Sequence, residues 1–187
     1  MNWGTLLCLK AVCPFSLGEK SGRTMSSKSK KTSAEKLQNS NGLPSVKKLN
    51  EKLSRRLKAN TMVIPAPLEV DAIMKTVRKG KLLTTDEIRK QLAREHSADI
   101  TCPLTTGIFA CIAAHAADEA ERDGKKRITP YWRTLKSGGE LNVKFPGGIE
   151  NLRQRLEAEG HTVIERGKRF FVESLLPTSK GRPASSK

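Results

Sequence analysis

Aromatic residues are scarce in this chain: among 187 residues there are two Trp, one Tyr and five Phe. So few rings make a poor stacking platform, which favours duplex binding over the reading of splayed-out single strands. Cysteine is scarce too, with Cys8 and Cys13 near the N-terminus and Cys102 and Cys111 further on. Their spacing forms neither a disulfide framework nor a paired zinc motif. A metal site from His96, Cys102, Cys111 and His115 is therefore disfavoured, and free thiols in a reducing, intracellular setting are expected. No apolar run is long enough to span a bilayer. Leu6 to Val12 is short and broken by Lys10, unlike a secretory leader. A Gly-rich phosphate loop followed by Lys-Ser/Thr is missing as well. No cofactor, no metal and no membrane contact are expected.

What the chain has is positive charge: 35 Lys and Arg against 19 Asp and Glu, a net +16. The excess is unevenly placed. Residues 1–58 hold 13 basic and 3 acidic residues, and residues 176–187 hold 3 and none. The middle, 59–175, is left with 19 against 16. A nearly neutral globular region flanked by basic arms is the pattern of a protein that neutralises phosphates, with affinity supplied by the arms regardless of sequence. A solubilising tail is the weaker alternative.

The organisation follows from composition and periodicity. Residues 1–44 read as a disordered basic leader and arm, because the Ser-, Lys- and Asn-rich stretch up to Pro44 cannot bury enough apolar surface to fold alone. Met25 resembles a start in its own right, and import into an organelle is disfavoured because the leader holds a single Arg, Arg23. Over 45–60, Val46, Leu49, Leu53 and Leu57 recur at helical spacing among six basic residues and predict a basic amphipathic helix. Ile64-Pro65-Ala66-Pro67 reads as a linker into a domain spanning 61–175, and residues 176–187 as a disordered basic tail. Within the domain, Val70, Ile73, Met74 and Val77 mark one helix, ended by Gly80. Thr84 with Glu87 forms a capping box for a second, from Asp86 to about Glu95. Pro103 opens a third, to about Arg122, with Ile108, Ile112 and Ala116 as its apolar stripe. A hairpin is expected over Ile128–Phe145 around Ser137-Gly138-Gly139. Gly147-Gly148 opens a short helix, and a second hairpin pairs Thr162–Ile164 with Arg169–Val172. The expected fold is mainly helical α+β: a winged helix-turn-helix core with small β-hairpins.

Three segments, in order, carry a family resemblance. Lys79-Gly80-Lys81-Leu82-Leu83-Thr84-Thr85 resembles the opening of the DNA-binding domain of O6-alkylguanine-DNA alkyltransferases. Ile128-Thr129-Pro130-Tyr131-Trp132-Arg133 resembles that family's active strand, Ile-Pro-Cys-His-Arg. Gly147-Gly148 followed by Leu156-Glu157-Ala158-Glu159-Gly160 resembles its terminal segment. The family's nucleophilic cysteine and activating histidine are here Tyr131 and Trp132, and only a thiolate attacks an alkyl carbon at useful speed. Arg133 and Glu159 are retained. The family's intercalating arginine would align near Leu104 and its nucleotide-rotating tyrosine at Thr85.

The chain thus resembles the alkyltransferase-like branch, which lacks the cysteine. That resemblance implies a non-catalytic, monomeric protein that binds double-stranded DNA and recognises alkylated bases in the nucleus or nucleoid, with DNA-repair proteins as partners. The expected DNA-facing residues are Thr105, Thr106, Gly107, Arg133, Lys136 and Ser137. The candidates for a base pocket are Tyr131, Trp132, Phe145 and Glu159, with Tyr131 and Trp132 on opposite faces of a strand. Arg133 has two readings, a phosphate contact or a brace holding the strand through a backbone carbonyl. Two alternatives stay open: a single-turnover alkyl acceptor using Cys102 or Cys111, and a general winged-helix module for RNA or protein.

Overall fold

The structure is a computed structural model that describes residues 31–176. It is a mainly helical α+β arrangement with six α-helices and three small sheets among the described residues. The long helix α5 (Pro103–Arg122) is its spine, and Pro103 occupies the first turn, where the missing N–H costs nothing.

The buried face of α5 differs from the predicted stripe. It is formed by Thr106, Ala110, Ala113, Ala114, Ala116 and Ala117; of the expected stripe Ala116 is buried, Ile112 half-buried and Ile108 47% exposed. Small side chains let neighbouring backbones approach closely, and helices α1 (Ser33–Gln38) and α3 (Pro67–Lys75) both use that face. Val70, Ile73, Met74 and Val77 are buried as the periodicity predicted. Helix α4 (Thr85–Glu95) begins with the expected box: Thr84 Oγ1 accepts from Glu87 N, and the Glu87 carboxylate accepts from Thr84 N at 2.7 Å.

Three segments depart from the sequence reading. The stretch expected to lack structure up to Pro44 contains α1. It does not fold alone: Leu37 is buried, and Glu119 of α5 accepts from the backbone N–H groups of Ser33 and Ala34, both at 3.0 Å. The predicted helix over 45–60 is a strand and a shorter helix, β1 (Ser45–Lys48) and α2 (Glu51–Leu57). Asn50 caps α2 by accepting from Leu53 N, which divides the continuous helical pattern. The partner of β1 is β2 (Thr61–Ile64), which ends at the first residue of the expected linker; it pairs antiparallel with β1 and parallel with β4 (Ile100–Thr101).

The third departure is the expected hairpin over 128–145. Residues Tyr131–Arg133 form a 3-10 turn after Pro130, with Arg133 N donating to Pro130 O at 3.1 Å. Strand β5 (Thr134–Leu135) then pairs parallel with β3 (Leu83–Thr84), just before α4, instead of with the residues that follow it. Gly138 and Gly139 reverse the chain in left-handed conformation, and a Cβ on Gly139 would meet Leu175 Cβ at 2.8 Å. Helix α6 (Gly148–Glu157) starts after Gly147, whose missing side chain leaves room for Asn151. The second hairpin is present as strands β6 (Val163–Arg166) and β7 (Arg169–Val172). Leu141 N donates to Phe170 O at 2.8 Å and ties this hairpin to the rest.

Candidate nucleic-acid interface

Two places bear on function: the cluster around Tyr131-Trp132-Arg133 and a groove along the exposed face of α5.

The cluster is closed. A 3-10 turn rotates by about 120° per residue, so Tyr131 and Trp132 pack together instead of pointing to opposite faces. Their rings meet edge-on with centroids 5.4 Å apart, and Phe145 meets Tyr131 edge-on at 6.0 Å. Tyr131 is fully buried and Phe145 is 3% exposed. The Tyr131 hydroxyl accepts from Asn151 Nδ2 at 3.2 Å. Arg155 of α6 stacks on both Trp132 and Tyr131, at 4.7 and 5.5 Å from the ring centroids. These residues form a core, and the expected base pocket is not open at Tyr131 or Phe145.

Glu159 closes the same cluster. Its carboxylate accepts from Trp132 Nε1 at 2.8 Å, from Arg133 Nε at 2.9 Å and from the terminal Arg133 nitrogen at 2.7 Å. Arg133 donates its remaining arm to Val77 O at 2.6 Å. Both side chains are almost withdrawn from water, 13% exposed for Arg133 and 8% for Glu159. Burial alone would raise the Glu159 pKa, but the bonds from Arg133 and Trp132 outweigh it and hold the carboxyl below its usual range. Of the two readings of Arg133, the geometry matches the structural brace. Its donors are spent inside the protein, joining the end of α3 to the residues after α6.

The groove is open. It has a volume of about 590 Å³ and is lined by Leu104, Gly107, Ile108, Cys111, Ile112 and His115 of α5, by Thr85 and Arg89 of α4, and by Lys36, Lys136 and Lys144. Leu104 is 71% exposed. No carboxylate lines it among the described residues. Arg89 pairs with Asp86 and Lys136 with Glu140, whereas Lys36 and Lys144 make no ion pair among the described residues. A second hollow of about 880 Å³ lies between α1, α3 and the C-terminal half of α5, but its walls mix Lys125 and Arg127 with Glu35, Asp71, Glu119 and Asp123. A polyanion is attracted by one sign of charge, so the smaller groove is the better candidate. The basic run Lys125-Lys126-Arg127 reaches the other hollow instead.

Of the residues predicted to face DNA, Gly107 and Lys136 line the groove. Thr105 sits at the start of α5 with its hydroxyl donating to Cys102 O at 3.3 Å, and Ser137 is exposed at the turn after β5. Thr106 is fully buried and its hydroxyl donates to Cys102 O at 2.9 Å, so it faces the core rather than a phosphate. Sequence reasoning missed Lys36, Arg89 and Lys144. The first arrives from the docked α1, and the last two lie outside the recognition-helix pattern.

The cysteines differ in setting. Cys102 is the cap residue of α5. Burial opposes its ionisation, but hydrogen bonds from Thr105 and Leu104 prevail and lower its pKa. Cys111 faces the groove, receives Asn142 Nδ2 at 3.7 Å, and has its pKa raised by burial. His115 bonds Lys144 O at 3.1 Å, and His96 bonds Glu69 at 3.0 Å. Among the described residues no group of His, Cys, Asp and Glu is placed to hold a metal ion, and no helix is long and apolar enough to cross a membrane.

No known protein family, curated protein or solved structure matches the chain.

Proposed function

We propose that the chain is a non-catalytic, monomeric DNA-binding protein of alkyltransferase-like type, acting on alkylated or otherwise modified duplex DNA in the nucleus or nucleoid. The observation that carries this reading is the groove: one sign of charge around an exposed apolar helix face, with α4 and α5 in helix-turn-helix order beside it. In this reading α5 is the helix that enters the major groove, and Lys136 and Ser137, at the turn after β5, stand as the wing. Leu104 and Ile108 meet bases, where apolar contact suits thymine methyl groups. Lys36, Lys136 and Lys144 meet phosphates. Leu104 and Thr85, which align with the family's base-flipping residues, both line this groove. Recognition without repair follows from Tyr131 and Trp132, which offer neither a thiol nor its base. DNA-repair proteins are the natural partners of such a reader.

One observation favours a second reading. Cys111 faces the same groove, so a relocated alkyl acceptor would stand there. Its raised pKa opposes this, because the attacking species is the thiolate. One experiment separates the two: binding of matched duplexes with and without O6-methylguanine, with the intact mass of the protein recorded. Preference for the lesion without mass gain supports the reader. A stoichiometric mass gain supports the acceptor, and no duplex binding removes both.

A further inference from the structure

The segment from Ser45 to Asn60 carries six Lys and Arg and a single carboxylate, Glu51. That carboxylate pairs with Arg55 on its own helix. No residue of α2 is buried, and Lys47, Lys48, Lys52, Arg56 and Lys58 are exposed. A seven-residue helix gains little from its own hydrogen bonds. Yet this unit is fixed firmly to one place.

That place is the turn between α4 and α5. Asp99, in the turn, accepts at one carboxylate oxygen from Asn60 N at 2.7 Å, from Thr61 N at 2.9 Å and from Thr61 Oγ1 at 3.1 Å. Its own N–H donates back to Thr61 Oγ1 at 3.0 Å. Strand β2 pairs with β4, and Cys102 N donates to Val63 O at 2.9 Å, immediately before α5 begins. Neighbouring strands lie about 4.8 Å apart, and three residues span at most about 10 Å. By the register Val63↔Thr101, Lys58 at the end of α2 is eight residues and one strand spacing from Leu104, so it lies within roughly 32 Å of it, about nine base-pair steps along a duplex.

We infer that the β1–α2–β2 unit is a second phosphate-binding surface, which carries duplex contact past the N-terminal end of α5. This rests on the α5 groove being a DNA site. Charge complementarity and continuity with that groove favour a duplex over an acidic protein or a membrane. Val46, Leu53 and Leu57 are 39–49% exposed but stand among six cations and one carboxylate, a balance that favours a polyanion.

The test uses the full chain and a variant with Lys47, Lys48, Lys52, Arg55, Arg56 and Lys58 each changed to Gln. All six are exposed, so circular dichroism and the melting temperature are expected to stay at the wild-type values. On a 30-base-pair duplex the salt slope of binding is expected to fall by about 3, as roughly half of the six contacts, each worth about 0.9, would do. Hydroxyl-radical protection is expected to shorten by about half a turn on one side. Should the variant misfold, Lys47→Gln with Lys48→Gln alone is expected to shorten the same protected edge. Unchanged slope and protection, with the wild type binding DNA, would overturn the proposal and leave the groove reading intact. If the wild type protects no duplex at low salt, the groove reading fails and this surface with it. Binding of polyglutamate or of anionic vesicles that is lost in the variant while DNA protection is unchanged assigns the surface to that partner instead.

Discussion

The cluster at Arg133 and the groove on α5 use the same kinds of residue to opposite ends. Arg133 spends its Nε, Nη1 and Nη2 donors on partners within the protein, and water is nearly excluded. Along α5, Lys36 and Lys144 project beside exposed Leu104 and Ile108 with no carboxylate among the lining residues. A charge satisfied internally holds a fold together. A charge left to the solvent is available to a ligand. The residues that resemble the alkyltransferase active strand form a structural knot, and the helix beside them lines the open groove.

The largest effects are expected where the closed cluster is broken. Glu159→Ala leaves the Arg133 guanidinium buried without its counter-charge, a change that costs about 3–5 kcal/mol in such settings. Arg133→Ala is expected to cost a similar amount and to lower the melting temperature by about 6–15 °C. Neither should alter the salt slope of DNA binding in the folded protein. Chemical denaturation of both variants checks this. Melting at the wild-type temperature together with a reduced slope would move Arg133 from the knot to the interface. Acid probes the same pair. The folded Glu159 carboxyl has a depressed pKa, so its contribution is present above the unfolded value near 4.3 and is lost as pH falls through the lower folded value. Stability measured from pH 6 down to pH 2 is expected to fall less steeply in Glu159→Gln than in the wild type.

The open groove should respond in the other way. Lys36→Glu with Lys144→Glu is expected to reduce the salt slope by about 2 and to leave the melting temperature unchanged. Fluorescence anisotropy across a salt series measures it, and an unchanged slope would remove the groove from the interface.

How much of this contrast could be read from residues alone depends on whether the signal was local. The capping box at Thr84 and Glu87, Pro103 in the first turn of α5 and the short apolar runs joined across Arg166-Gly167-Lys168 are local, and each element formed where expected. The strand at β1 and the 3-10 turn at Tyr131 depend on distant partners, β2 and Glu159, and no periodicity reports a partner. The same is true of the groove, because Lys36, Arg89 and Lys144 are far apart in sequence. The charge count was correct for the N-terminal part, but its meaning changed. Residues 31–58 include α1 and β1, so removing all of 1–58 would unseat Leu37 and a sheet edge. A deletion ending at residue 30 tests the arm without that damage. It removes five basic residues and one acidic residue, and a flatter salt slope is expected.

A modest effect is expected from the Tyr131 hydroxyl. Tyr131→Phe removes the oxygen that accepts from Asn151, at about 0.5–1.5 kcal/mol. It should not change lesion preference, because the ring is inside. A loss of preference for O6-methylguanine duplex without loss of stability would mean that this ring does reach the base.

The smallest expected change in chemistry, no mass gain at all, gives the sharpest separation of the two regions. Changing Tyr131 to Cys and Trp132 to His writes the family's Pro-Cys-His-Arg sequence back into the chain. If motif alone sufficed, the variant would take up an alkyl group and gain mass from alkylated DNA. The structure argues for no gain. Position 131 is fully buried, packed against Phe145 and stacked under Arg155, and a thiol there has no open path to a substrate carbon. Burial also raises a thiol's pKa and suppresses the thiolate that attacks. At position 132, His in place of Trp would lose the stack with Arg155 and would have to replace the Nε1 donor to Glu159. The double variant is therefore expected to be less stable than the wild type and chemically silent. Intact mass after incubation with O6-methylguanine duplex, with a melting curve to show that the protein is folded, decides the matter. A stoichiometric gain mapped to residue 131 would show that the cluster opens on DNA, and the division between a closed knot and an open groove would no longer hold.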